Sequence, residues 1–457
     1  MEAAGWDGCL KEILDISAGT GWRIDTPHVR QDVTAYLVPS FGNDALLFSV
    51  PVLFTRSLAD EIPLGPEGSD GAVHALIERI KQRAHDVSAL GPLAGTGTKF
   101  PHRYDANVEP YTVVHSQEAI ASHLWHPDDR NFCDREGIHL LIHGALPCPP
   151  AQSPQETRRI TETMQALFDS ISSEAEAMPV RVLTNAWENS LDQKLLRNQL
   201  PELGLVAFAG DGSRPARSFS RHRSSFRTAG KKEGVNIPFA CPQELSPVEI
   251  DLPATGERIT GLGIKRREVF SVTGSNAQGK TTFLNGIIAG MDDHAAGDGR
   301  ERIVTVRGAT NAEAMNCELP GVDVSMFFKK LPPGIGGTPK AAYGAGSGSM
   351  TMAAMVQKAI AGSAPLLLID EDRAAPNLLV KSCLQKEDVT PLAEILAHDR
   401  SKMDNTTLLF AACAMDTLIV QADRIMVLDQ HVAGAIDRNA FRAMLKESLL
   451  KTAERLG

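Results

Sequence analysis

The stretch that most constrains the fold is VFSVTGSNAQGKTTFLNGI, Val269 to Ile287. It reads as a buried strand, a glycine-bounded loop and then a helix. The loop fits G-x-x-x-x-G-K-[ST] with Gly274, Gly279, Lys280 and Thr281. Such a loop turns successive backbone N–H groups toward an anion, and the following helix adds the positive end of its dipole. Gly274, Ser275, Asn276, Ala277, Gln278, Gly279, Lys280, Thr281 and Thr282 are therefore the expected phosphate-binding residues of a nucleotide site. Lys280 is expected to reach the β- and γ-phosphates and to act in catalysis, and Thr281 to coordinate Mg²⁺.

A second element lies about 90 residues downstream, in APLLLIDED, Ala364 to Asp372. Its apolar run suits a central parallel strand buried on both faces. Asp370 at the strand's end suits a Mg²⁺ role, and Glu371 is placed to orient or deprotonate an attacking water. Between the two elements, a turn of small residues, AGAGSGS, precedes a helical run. Glycine and serine at a helix start make sense where that end contacts a phosphate, although such a turn can also be an ordinary loop.

The chain of 457 residues has room for two or three domains. Its net charge of -10 argues against a protein that coats nucleic acid with its whole surface, while leaving room for a local basic patch. The seven cysteines show no C-x-x-C spacing, which points to reduced thiols in a cytosol or matrix-like compartment. No apolar run reaches the roughly 18 residues needed to span a bilayer, so no membrane partner is expected. The N-terminus MEAAGWDGCLKEILDI resembles neither a signal peptide nor an Arg-rich transit peptide.

Four regions are expected. Residues 1–150 form an N-terminal α+β domain, with strands in TAYLVPS, ALLFSVPVLF, PYTVVHS and GIHLLIHGALP. Its helix, AVHALIERIKQRAHDV, buries Val73, Leu76, Ile77 and Ile80. Residues 151–245 form a connecting region. It opens on a helix with a capping box, Ser153 and Glu156, with Pro154 at its first position and a stripe of Ile160, Met164, Leu167, Phe168 and Ile171. A shorter helix, SLDQKLLRNQL, and a strand, GLVAFA, follow. This region also holds a basic run from Ser213 to Lys232, with Arg214, Arg217, Arg221, Arg223, Arg227, Lys231 and Lys232 and no acidic residue. The run shows no apolar periodicity and reads as a long exposed loop. Residues 246–435 form the nucleotide-binding domain, and 436–457 a C-terminal helix with Phe441, Leu445, Leu449 and Thr452 on one face.

Several of these stretches resemble the predicted ATPases of the ABC class. That family occurs in bacteria, with a eukaryotic member in trypanosome mitochondria that is associated with RNA editing. The carriers are LPELGLVAFAGDGS, ITGLGI, the phosphate loop, AAGDGRERIVT, GVDVSMF, GSGSMTMAA and LLLIDEDRAAPN, spread over Gly137 to His431. The resemblance implies an α/β fold: a P-loop ABC-type ATPase core with a mostly parallel central sheet, plus the N-terminal α+β domain and the C-terminal helix. It implies that Gly274 to Thr282 bind ATP, that Thr281 and Asp370 serve Mg²⁺, and that Glu371 is the catalytic carboxylate. Ser347, Gly348 and Ser349 become the signature that closes on a partner's ATP, Ser347 standing 23 residues before Asp370 as in that family. Asp372 to Asn377 become the loop that touches across the dimer.

There are departures from the family's pattern. A switch histidine is expected about ten residues before Asp423, and Cys413 stands there. No lid glutamine is evident between the loop and Ser347, and no aromatic residue stands where adenine is often stacked. Slow turnover, with ATP as clamp more than fuel, is the expectation. One phosphate loop per chain implies a head-to-tail homodimer holding two ATPs. A monomeric P-loop kinase is the alternative, with Arg300, Arg302 and Arg307 as candidate lid cations.

Two roles for the ATP compete. In one, it gates RNA binding through the basic run, whose cations neutralise phosphates while Phe219 and Phe226 stack bases. The resemblance favours this role and implies mitochondrial RNA processing or editing, partner proteins of an RNA-processing complex, and a matrix location; composition fits a cytoplasmic one equally. In the other, the chain is a mechanochemical ATPase acting on a protein partner, and the basic run is a linker. Lesser features are read as structural. His139 and His143, four apart on a strand, lie roughly 13 Å from each other, too far for one metal. GTGTKFPHRY at Gly95 reads as an ordinary turn, and Met350, Met352 and Met355 as packing for their helix. DDHAAGDGRE at Asp292 keeps an open role.

Overall fold

The computed structural model describes residues 34–38, 45–84, 86–94, 127–147, 153–219, 226–228, 237–384 and 388–456. The chain divides into two compact units, Met1–Leu191 with Ser218–Arg227, and Asp192–Arg217 with Thr228–Gly457.

The first unit carries an antiparallel sheet in the order β1-β2-β4-β3, from β1 (Thr34–Val38), β2 (Ala45–Phe54), β3 (Phe132–Cys133) and β4 (Ile138–Pro147). Helix α1 (Ser69–Arg83) buries Val73, Leu76, Ile77 and Ile80, one helical face, in the same core as β4. Helix α2 (Pro154–Glu176) starts with the expected capping box: the Ser153 hydroxyl accepts from the Glu156 N–H, and the Glu156 carboxylate accepts from the Ser153 N–H. Its stripe from Ile160 to Ile171 is buried. Glu174 near its end takes Arg79 and Arg83 of α1, each at 2.9 Å. PYTVVHS and the turn at Gly95 lie outside the described residues.

Helix α3 runs from Val180 to Gln199, ten residues earlier than the shorter helix expected from Ser190. Pro179 opens it, its carbonyl accepting from the Val182 and Leu183 N–H groups. Trp187 anchors it, buried with its indole N–H on the Gly65 carbonyl at 2.8 Å. The basic run also departs from the expected continuous loop. Arg217–Phe219 (β6) and Phe226–Thr228 (β7) pair as a two-stranded ribbon, and Ser213 is buried.

The second unit is built on a six-stranded sheet, and its strands explain why. β10 (Val269–Thr273), β16 (Leu366–Asp370) and β17 (Thr407–Ala412) are almost wholly buried, as parallel strands covered on both faces must be. With β12 (Thr310–Asn311), β18 (Arg424–Asp429) and β19 (Val432–Ile436) they give the order β12-β16-β17-β10-β18-β19. The first five strands are parallel, and β19 closes the edge antiparallel. No helix of the described residues is long and apolar enough to cross a membrane.

Alternation along the strands separates two cores. Phe270, Val272, Leu366, Leu368, Leu409 and Ala411 share one face with helix α4 (Lys280–Ala289). That face also packs the antiparallel sheet β11-β5-β9-β8, from β5 (Leu205–Gly210), β8 (Val248–Asp251), β9 (Arg258–Lys265) and β11 (Ile303–Thr305). Val269, Leu367, Ile369, Leu408 and Phe410 share the other face with helix α5 (Gly348–Ala361). A small sheet of β13 (Cys317–Val322), β14 (Gly336–Thr338) and β15 (Ala341–Gly346) adds Leu319 and Ala342 to that core. Arg424 stitches the first face: it meets Glu268 at 2.5 and 2.8 Å, donates to the Leu245 and Gly263 carbonyls at 2.6 Å, and lies over Phe270. Helix α6 (Arg438–Arg455) ends the chain, capped by Asp437 and with no buried residue.

Candidate nucleotide site

Parallel strands deliver their C-terminal ends to one edge of a sheet, where ligands of open α/β folds bind. β10 ends there at Thr273, and the chain turns at once through Gly274, whose φ is +130°. A Cβ on Gly274 would lie 2.2 Å from the Leu428 carbonyl oxygen, so the turn needs glycine for two reasons. Gly279, at φ +98°, closes the loop and starts α4 with no side chain on its N–H groups. Ser275, Asn276 and Ala277 are exposed, and Gln278 donates to the Asn276 carbonyl at 3.3 Å. Lys280 is buried, its ammonium donating to the Gly274 and Ser275 carbonyls at 2.9 Å each. The cation is thus held at the centre of the loop, and Thr281 and Thr282 stand half-buried on the first turn of α4.

Asp370 ends β16 at the same edge. The register pairs Asp370 with Ala411 and Thr273 with Ala412, so β17 alone separates the two strand ends, about 10 Å at ordinary strand spacing. The Asp370 carboxylate accepts from the Asp372 N–H at 3.3 Å. Glu371 is held from β17: its carboxylate accepts the backbone N–H of Cys413, the residue after that strand. The position where a switch histidine was expected therefore meets Glu371 through its amide. Thr281 and Asp370 offer hard oxygen donors, the kind that hold Mg²⁺ together with phosphate oxygens and water.

The expected signature residues, Ser347, Gly348 and Ser349, lie at the start of α5. Ser347 has the extended backbone of an N-cap, φ -70° and ψ 163°, yet its side chain makes no capping bond, and it is exposed. Ser349 donates to the Asn377 side-chain oxygen at 2.8 Å, joining the signature to the loop after Glu371. The Thr351 hydroxyl accepts from the Met315 N–H at 3.1 Å and donates to its carbonyl at 2.5 Å. Met350 and Met352 are buried in the α5 core and Met355 packs against it, as expected of packing residues. Neither the Cys413–Glu371 bond nor the Ser349–Asn377 bond has a local sequence signal, since their partners stand 42 and 28 residues apart and meet only in the fold.

Below the P-loop strand, Asp423 accepts from the Val269 N–H at 2.9 Å and pairs with Arg400. Burial pushes the Asp423 carboxyl up, but the Arg400 guanidinium and the Val269 N–H outweigh it and hold it below the usual range. The Asp292 segment is held by contacts within the second unit. Asp293 pairs with Arg197 at 2.8 Å, His294 with Asp298 at 3.1 Å, and Glu301 accepts from the Gly297 and Gly299 N–H groups. Arg300 donates to the Pro215 carbonyl and Arg302 pairs with Glu257, so two of the three candidate lid cations serve contacts within the unit, while Arg307 is exposed. In the basic run, Arg214 is half-buried and its N–H donates to the Gly299 carbonyl. Arg217 and Arg227 lie on the ribbon, while Arg221, Arg223, Lys231 and Lys232 are outside the described residues. In the first unit, His139 stacks on Phe132 and meets Asp134 at 3.1 Å. Among the described residues no group of three or more His, Cys, Asp or Glu could hold a metal ion.

A family model described as ABC_ATPase, P-loop domain, matches residues 179–455. The uncharacterized protein MJ1628 of Methanocaldococcus jannaschii is 40% identical over 391 residues, 85% of this chain and 85% of that protein. Solved structures give partial likenesses. One is MJ1267, an ATP-binding cassette of an ABC transporter in its ADP conformation, at 16% identity over 41% of this chain and 87% of that one, TM-score 0.27. Another is cbiO1 from Clostridium perfringens, part of the ABC transporter complex cbiONQ, at 12% identity over 55% and 94%, TM-score 0.30.

Proposed function

The chain belongs to the ABC-class P-loop ATPase family, and from that premise we propose that two copies enclose two Mg·ATP, hydrolyse them slowly, and use the nucleotide state to gate RNA binding. One observation carries the two-copy reading. The phosphate-loop helix α4 and the signature helix α5 pack on opposite faces of one sheet. A nucleotide on the loop therefore has its own signature behind the sheet, and a second copy placed head to tail can supply the missing one. Bound Mg²⁺ would neutralise charge developing on the phosphates. Within each copy, Lys280 holds the β- and γ-phosphates, Glu371 orients the water, and the open N-terminus of α5 receives the partner's γ-phosphate. Cys413 in place of a switch histidine removes a side chain that would report the γ-phosphate, which supports slow turnover.

RNA is the gated partner in this reading, in the mitochondrial matrix or the cytoplasm. Its support is the basic run, acid-free over Ser213 to Lys232, with Arg217 and Arg227 on the ribbon. One observation favours the second reading, a protein partner: Met444, Leu449 and Leu450 of α6, and Leu456 that follows it, are more than half exposed. Fluorescence anisotropy of a labelled single-stranded RNA separates the two. The Glu371→Gln chain, with and without Mg·ATP at two salt concentrations, should bind in a salt-dependent way that ATP changes. Replacing the basic-run arginines by alanine should weaken that binding, and absence of binding in both nucleotide states would move the partner to protein.

A further inference from the structure

The geometry points to a nucleoside subsite at the β18–β19 turn, with His431 as the side chain that meets the sugar and base of bound ATP. The inference rests on the ATP-binding reading above and adds the adenosine contact that the sequence leaves blank. The P-loop strand β10 has two neighbours, β17 and β18. Beyond β17 stand Asp370 and Glu371, the Mg²⁺ and γ-phosphate side. A nucleotide anchored by its phosphates on the loop, with its γ-end toward Asp370, extends its sugar toward the other neighbour. That neighbour ends at Asp429, and the chain reverses through Gln430 and His431 into β19.

This turn lies against the loop. Gly274 backs onto the Leu428 carbonyl, and a methyl group on Gly279 would come 3.6 Å from His431 Nδ1. The imidazole therefore stands beside the N-terminus of α4. Gln430 and His431 have φ of +46° and +66°, the two positive angles of a tight two-residue hairpin turn. Glycine and asparagine suit such positions best, so a large flat side chain here is held at a local backbone cost, a pattern that recurs at ligand clamps. The buried rings near α4 are otherwise engaged. Phe239 and Phe283 pack on each other with centroids 5.4 Å apart, so neither is open to stack on a base. His431 is half-buried and offers a flat face together with ring nitrogens for hydrogen bonds.

The test is calorimetric titration of the full-length chain with ATP and, separately, with inorganic tripolyphosphate, which has no nucleoside. His431→Asn keeps a residue that tolerates positive φ but removes the ring, and His431→Phe keeps the ring. The expected result is ATP affinity about 10-fold weaker for His431→Asn and largely restored for His431→Phe. Tripolyphosphate should bind all three proteins alike. Unchanged ATP affinity in His431→Asn, or a parallel loss for tripolyphosphate, would overturn the subsite. Failure of the unaltered chain to bind ATP would sink the reading beneath it as well.

Discussion

On one face of the central sheet α4 begins at Gly279, and on the other α5 begins at Ser347. Both leave the first N–H groups of the helix without a side-chain cap. At α2 and α6 the opposite choice was made: Ser153 and Asp437 each accept backbone N–H groups of the first turn. A polar cap satisfies the first-turn donors of α2 and α6, whereas α1 also starts without a side-chain cap, so an open start permits phosphate binding without marking it by itself. The open starts of α4 and α5 also differ. That of α4 has a lysine in its loop and glycines at φ angles few other residues adopt, whereas that of α5 offers small residues and an exposed serine. In the proposed head-to-tail pair they become the two halves of one site, set on opposite sides of a sheet.

Four substitutions probe the two faces of the sheet and the two kinds of helix start. Glu371→Gln should lower turnover about 10²- to 10⁴-fold with ATP affinity kept, the mark of a lost general base. Loss of binding instead would make Glu371 a structural anchor of the loop. Arg424 tests the α4 face. Arg424→Ala leaves Glu268, 6% exposed, without its cation, and should cost about 3–5 kcal/mol in urea unfolding. Thr351 tests the α5 face. Thr351→Val strips both Met315 backbone groups of a partner and should cost about 1–3 kcal/mol, with activity falling because the signature turn loosens. Ser153→Ala gives the smallest effect, about 1 kcal/mol, with no change in ATP affinity, since that cap supports packing alone.

Much of the fold was legible because its signals are local. The apolar run of β16, the capping box at Ser153 and the 3.6-residue spacing of Val73 to Ile80 each identify an element from its own residues. The first half of α3 is hard to read, because the exposed Val180 and Val182 blur the buried stripe of Leu183, Ala186, Trp187 and Leu191, and Trp187 is fixed by Gly65, 122 residues away in sequence. The ribbon in the basic run has no local signal either, its two three-residue strands being shorter than any alternation pattern. At the site, the loop and the Asp370–Glu371 pair are readable as motifs. The Cys413 amide that holds Glu371 is set by strand order, with 42 residues between the partners, and no motif encodes it. His431 is hidden in the same way, in a stretch that reads as an ordinary hairpin turn.

The central claim, that each ATP is enclosed by the loop of one copy and the signature of another, is tested most directly by mixing two inactive chains. Lys280→Ala disables the loop, and Ser347→Arg blocks the signature. Each alone should have little ATPase activity. In a random mixture half of the dimers are heterodimers, and each holds one site with both an intact loop and an intact signature. The account predicts recovery to about a quarter of the unmodified activity. A mixture as inactive as its components would contradict it, and so would a Ser347→Arg chain that hydrolyses ATP normally by itself.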